Sequence, residues 1–172
     1  MQIMAIDGVD RVGKSTLCRV LAQEGNFPII DSSIMKNKGD HPGEMSYFSD
    51  VPKMIALKEI QRTIFDPDDT YRVLLDRSII SALTYCLTGL NPEGTFEKLA
   101  KYVGWYKNNV TFAWIYFTNL ENILGRSDGE YMDTLSEDQE KFGEAYEIFE
   151  ITPMIIPAEL EVDEKVRFLA ES

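Results

Sequence analysis

The sequence is poor in the residues that build metal and disulfide sites: one histidine, His41, and two cysteines, Cys18 and Cys86, in 172 residues. A single imidazole does not make a histidine-ligated metal centre, which draws on two or three. Both cysteines fall inside helical patterns, so the expectation is two buried thiols in a reducing compartment. No apolar run approaches the roughly 18 residues of a membrane span. Nor is there a signal-peptide pattern, since the first apolar run is followed at once by a glycine-rich loop. The expectation is a cytoplasmic protein with no membrane partner. Basic residues are also scarce, with 17 Lys and Arg against 29 Asp and Glu and a net charge of −12. Such a surface repels nucleic acid unless cations gather in a stripe, and the sequence shows none. An anionic small molecule would have to be held by local cations against the overall field, which gives the few cations near motifs more weight. Internal repeats and low-complexity tracts are missing too. The length suits one domain over residues 1–172 with a substantial core.

What is present is organised around residues 2–16. Ile3 to Ile6 reads as a buried parallel strand. It runs into Gly8-Val9-Asp10-Arg11-Val12-Gly13-Lys14-Ser15, which fits GxxxxGK[ST] at every fixed position. A helical pattern with Leu17, Val20 and Leu21 on one face follows. Strand, glycine-rich loop and helix stand in the order that cradling a phosphate chain requires. The glycines let the backbone wrap the phosphates, and N–H groups of the loop and helix start point at them. The motif reads as an ATP site formed by Gly8, Asp10, Val12, Gly13, Lys14, Ser15 and Thr16. In it Lys14 reaches the β- and γ-phosphates and Ser15 holds Mg²⁺.

The rest of the chain alternates strand and helix, which implies a parallel sheet covered on both faces. Strand two is expected at Phe27 to Ile30, ending at Asp31. Residues 32–50 are polar and read as a long functional loop. A helix with Pro52 in its first turn runs through Ile55, Ile60 and Ile64, and Val73 to Asp76 is strand three. Helices at 79–88 and 95–108, strand four at Thr111 to Phe117, a short helix at 119–125, a helix at 136–149, strand five at 154–156 and a closing helix at 162–171 complete the pattern. Phe142, Tyr146 and Phe149 lie at helical spacing and read as core. The fold expected is a three-layer α/β/α P-loop NTPase with five parallel strands and a short LID at about 125–135.

Asp76-Arg77-Ser78 sits where a strand meets a loop, the end at which open parallel sheets bind ligands. A carboxylate there orders Mg²⁺, and an adjacent Arg clamps phosphate oxygens. With these residues in view, Gly8 to Thr16 closely resembles the GxDRxGK[ST]T loop of thymidylate kinases that carry Arg in the P-loop. Asp76 to Tyr85, DRSIISALTY, resembles the family's DR[YH]xxSxxAY segment. The likeness covers most of the chain, and these two motifs are its sharp part. It implies that Asp10 accepts from the deoxyribose 3′-hydroxyl and that Arg11 bridges donor and acceptor phosphates. It assigns Ser81 to the base side, Tyr85 to the ribose side and Phe48 to stacking on the pyrimidine, and it makes the protein a homodimer. Arg126 is the one cation of the presumed LID and reads as an auxiliary clamp on the donor or as a surface charge. The catalytic set is Arg11, Lys14, Asp76 and Arg77, with ATP and Mg²⁺ as cofactors.

Two departures concern the acceptor. The family's Arg after strand two is replaced by Asp31-Ser32-Ser33, leaving Lys36, Lys38 or Lys53 to hold the acceptor phosphate, and Ser78 stands where an aromatic usually follows Asp-Arg. The leading expectation is transfer of the ATP γ-phosphoryl group to a deoxynucleoside monophosphate, dTMP above all. The nearest alternative is a deoxynucleoside kinase with Asp31 as base. A third is a nucleotide-binding regulator that does not turn over.

Overall fold

The computed structural model describes residues 2–9, 12–30, 54–59, 71–87, 94–121 and 134–171. Its frame is a five-stranded parallel sheet of β1 (Gln2–Asp7), β2 (Ile29–Ile30), β3 (Arg72–Asp76), β4 (Val110–Tyr116) and β5 (Met154–Pro157) in the order β2-β3-β1-β4-β5. The three inner strands are apolar almost without a break, as strands covered on both faces must be. Ile3, Ala5 and Ile6 of β1, Val73, Leu74 and Leu75 of β3 and Phe112 to Ile115 of β4 are all buried. The connecting helices are α1 (Lys14–Gly25), α2 (Ile79–Leu87), α3 (Thr95–Asn109), α4 (Leu135–Ile148) and α5 (Val162–Glu171). α1 packs on α5, whereas α2 packs on α4 and α3, so the sheet lies between two helical layers. This is the expected α/β architecture.

The chain first fills the β2 and β3 side of β1, then crosses to β4 and β5. That reversal leaves a crevice at the carboxyl end of β1, where the glycine-rich loop leaves the sheet.

Boundaries shift for physical reasons. Strand two is two residues shorter than expected because the N–H of Phe27 is spent on the carbonyl of Ala22 (3.0 Å), closing α1 through a left-handed Asn26. Pro28 has no N–H to give, although its carbonyl accepts from Leu74 N (3.0 Å). Strand four begins one residue early at Val110 and ends at Tyr116. Residues 54–59 are helical and bury Met54 and Leu57, in keeping with the expected helix there. The remainder of that helix, the 32–50 loop, residues 122–125 of the short helix and most of the LID lie outside the described residues. Phe142 and Tyr146 are core as expected, and Phe149 is half-buried against Phe96 at 5.9 Å between ring centres. No helix among the described residues is long and apolar enough to cross a membrane.

Candidate active site

The loop after β1 is shaped by two glycines. Gly8 has φ 143°, and a Cβ there would sit 2.8 Å from the carbonyl oxygen of Ile115 and 3.1 Å from Val12 Cγ2. Only glycine lets the loop turn this close to β4. Gly13, at φ 92°, takes the left-handed conformation that starts α1 with open space around it. Val9 and Val12 are buried and pin the loop to the core. Lys14 is 5% exposed and donates its ammonium to the carbonyl of Val9, so its charge is folded over the loop. Ser15 and Thr16 follow, both exposed.

The acids are distributed to suit an anion at this edge. α3, α4 and α5 each carry acidic residues in the first turn, the usual complement to a helix dipole. α1 and α2, which begin at the crevice, carry none. In a chain of net charge −12, the start of α1 leaves its positive end for a ligand, whereas the start of α2 is taken up by Ser78 and the buried Asp7 carboxyl.

The end of β3 is stitched to the loop on both faces of the sheet. On the α1 face Ser15 Oγ donates to Asp76 Oδ2 at 2.5 Å. On the opposite face Ser78 donates to Asp7 through its N–H (2.8 Å to Oδ1) and its hydroxyl (2.6 Å to Oδ2). Arg77 lies between them at φ 75°, donating its N–H to Ile6 O (3.1 Å) and Nη1 to Gly8 O (3.4 Å). A left-handed non-glycine residue is strained and persists where its neighbours over-determine it. Here they do. The Arg77 guanidinium lies 6.0 Å from the ring centre of half-buried Tyr85.

Asp7 is a site residue that the sequence reading missed. Fully buried, it also accepts from Ser81 Oγ (2.6 Å) and from Tyr146 OH (3.0 Å). Its two oxygens thus take four donors, about the capacity of a carboxylate. Burial, reinforced by the Asp7 carboxyl, holds the Tyr146 phenol well above its ordinary pKa, so the phenol stays a donor. Ser81 was expected on the base of a substrate; the structure turns its hydroxyl inward to Asp7 and leaves it 2% exposed. The reason is helical spacing, since Ser78 and Ser81, three apart at the start of α2, share the face that meets β1. An acid at the end of an otherwise apolar strand was the available signal for Asp7.

Neighbouring groups frame the crevice. Glu159 Oε1 accepts from Thr118 N (2.7 Å), Thr118 Oγ1 (3.0 Å) and Asn119 N (3.3 Å), tying the loops after β4 and β5. Burial works to raise its pKa, but the bonds from Thr118 and Asn119 outweigh that and hold it below the ordinary value. Gln139 of α4 exchanges two bonds with the backbone of Phe117, at 2.9 and 3.0 Å. Both cysteines are free thiols, Cys18 buried and Cys86 half-buried. Burial, then the nearby Asp76, pushes the Cys18 thiol far up, while burial and Glu97 push Cys86 up to about 11.

The structure brings Gly8, Val12, Gly13, Lys14, Ser15, Thr16, Asp76, Arg77 and Tyr85 to one edge of the sheet. Asp10, Arg11, Asp31, Lys36, Lys38, Phe48, Lys53 and Arg126 lie outside the described residues. Among the described residues no group of three or more His, Cys, Asp or Glu is arranged to hold a metal. The Ser15 hydroxyl and Asp76 carboxylate, in contact, are nevertheless the hard oxygen donors that fit Mg²⁺, which takes one or two protein ligands and keeps its waters.

A five-stranded parallel sheet of this order, with a GxxxxGK[ST] loop after β1, makes an α/β P-loop-like fold, and comparison with solved structures agrees. The chain is similar to thymidylate kinase from Candida albicans, at 20% identity and TM-score 0.63 over 99% of this chain and 89% of that one. It is similar also to the YorR protein of Bacillus subtilis, solved in complex with phosphorylated GDP, at 16% identity and TM-score 0.62 over 99% and 96%. A deoxyadenosine kinase from M. mycoides, solved with dCMP and dCDP as products, matches at 16% identity and TM-score 0.52 over 99% and 97%. At these identities the likeness is one of fold. No protein-family model matches the chain, and no curated protein matches it by sequence.

Proposed function

We propose that this chain is a nucleoside monophosphate kinase that transfers the γ-phosphoryl group of ATP to a deoxynucleoside 5′-monophosphate, dTMP above all, releasing the diphosphate and ADP. The observation that carries this reading is the 2.5 Å contact of Ser15 with Asp76, which joins the loop hydroxyl to a strand-end carboxylate beside Lys14 and Arg77. Lys14 and the start of α1 bind the donor phosphates. Arg77, with Arg11 from the loop, holds the phosphates on either side of the transferring group. Ser15 and Asp76 would hold Mg²⁺, which supplies charge stabilisation on the phosphate oxygens when bound. An acceptor phosphate oxygen attacks the γ-phosphorus as the bond to the β-phosphate oxygen breaks. That oxygen is already largely deprotonated near neutral pH, so positioning and charge suffice without a strong base. Asp10 takes the deoxyribose 3′-hydroxyl and Tyr85 lies on the ribose side. The reading includes one kinase domain over 1–172, closed by its LID and acting as a homodimer in the cytoplasm.

A second reading is favoured by the likeness to deoxyadenosine kinase and by the Arg77-Ser78 pair: phosphorylation of a nucleoside 5′-hydroxyl with Asp31 as base. ADP release from Mg-ATP, measured against a panel of nucleosides and their 5′-monophosphates, separates the two. Turnover with monophosphates alone that collapses in Arg11→Ala supports the first. Turnover with nucleosides that dies in Asp31→Asn replaces it with the second. ATP binding without turnover on any acceptor overturns both.

A further inference from the structure

The two faces of the Asp76-Arg77-Ser78 segment are held by different partners, and one of them, Asp7, is saturated by donors of its own protein. Asp7 points away from Ser15: Ile6 and Asp76 are register partners on one face of the sheet, and Asp7 lies on the other, beside Trp114. Its carboxyl is fully buried, and an apolar cluster in place of Asp7 and its donors together would cost less to fold. What the carboxyl gains is a fixed geometry for Ser78, which it grips at both backbone and hydroxyl. The same hydroxyl accepts the N–H of Ile80 (3.0 Å) and so caps α2. Ser78 is also one of the positions at which this chain departs from the motif it resembles.

We propose that Asp7, acting through Ser78, is the positioning residue that sets how Asp76 and Arg77 face a bound nucleotide. The inference rests on the nucleotide-kinase reading and deepens it. Asp7 holds the backbone just after strained Arg77 through Ser78, β1 holds it just before through Ile6, and the segment between these anchors fixes where the Asp76 carboxylate stands relative to Ser15. Ser81 and Tyr146 donate to the same carboxyl, but Tyr146 does so from α4, far from β3 in sequence, and braces Asp7 without holding the Asp76-Arg77-Ser78 backbone.

Two single-hydroxyl deletions on this one carboxyl make the test, Ser78→Ala and Tyr146→Phe. The readout is ATP affinity by calorimetry with and without Mg²⁺, beside denaturant unfolding of each variant. The expected result is that Ser78→Ala lowers the Mg²⁺ enhancement of ATP affinity by about tenfold, the low end for removing a group that orients a metal ligand. Tyr146→Phe is expected to leave the enhancement within about twofold while losing comparable stability. Asp7→Asn should resemble Ser78→Ala. An enhancement that is unchanged in Ser78→Ala, or lost equally in both deletions in step with stability, would overturn the proposal. The kinase reading is tested separately by the acceptor panel, since the Mg²⁺ readout needs no turnover.

Discussion

Two carboxyl groups stand at the ends of neighbouring strands, and they differ in nearly every respect. Asp7, at the end of β1, is fully buried and takes four hydrogen bonds from Ser78, Ser81 and Tyr146. Asp76, at the end of β3, is half-buried and meets the exposed Ser15. One side chain is saturated by its own protein and has nothing left to offer a ligand. The other stands at the open edge next to a loop built for phosphates. The contrast teaches that chemistry and its support are split across the two faces of a single sheet, with Arg77 between them.

Substituting the two acids should separate these roles. Asp7→Ala strands three hydroxyls and a backbone N–H in the interior and is expected to cost about 3 kcal/mol of stability. Asp76→Ala should leave stability within about 1 kcal/mol, as surface changes usually do, while turnover falls on the order of 10²-fold, as when a group stabilising transition-state charge is removed. Urea unfolding and steady-state rates on both variants check this. Equal stability losses would erase the distinction.

Gly8 joins the buried acid to the loop and is the next place to press. Gly8→Ala forces a side chain into a positive φ and within 2.8 Å of the Ile115 carbonyl. It should cost about 2 kcal/mol and weaken ATP binding, whereas Gly13→Ala, with open space around it, should cost about 1 kcal/mol in stability. Thermal melts with and without ATP separate the two.

The thiols report on each face at smaller scale. Cys86 titrates near 11, so its alkylation by iodoacetamide should rise about tenfold per pH unit between pH 8 and 10. Cys18, held far higher by burial on the α1 side, should stay unmodified until the protein unfolds. Mass spectrometry of the alkylated protein gives both rates.

Glu159 should produce the smallest effect. Its folded pKa lies below the ordinary 4.5, so the fold favours its ionised form. That contribution is present above pH 4.5 and is lost as pH falls through the folded value. Glu159→Gln should therefore lower stability slightly near neutrality and flatten part of the acid limb of the stability curve, with the difference from wild type vanishing at low pH.

How much of this was legible in the chain depends on the range of each signal. The β1 run, the GxxxxGK[ST] loop and α1 are contiguous, so local pattern sufficed. The all-parallel sheet followed from alternation of strand and helix. β2 was overdrawn because Phe27 looks like a strand residue but gives its N–H to α1, a choice invisible in composition. Asp7 went unread because its partners lie 71, 74 and 139 residues away. Tyr146 was rightly read as core, but periodicity sees only its ring and not the hydroxyl at its tip. Ser81 fits a family motif by position, yet its hydroxyl faces the sheet because Ser78, three residues before it, does.

The central claim is that this edge of the sheet moves a phosphoryl group between nucleotides. The most direct measurement is phosphorus NMR of the protein with Mg-ATP and dTMP. ADP and thymidine diphosphate should appear one for one in wild type, and on the order of 10²-fold more slowly in Asp76→Ala. No diphosphate from dTMP or any other monophosphate, or formation that is as fast in Asp76→Ala, would contradict it.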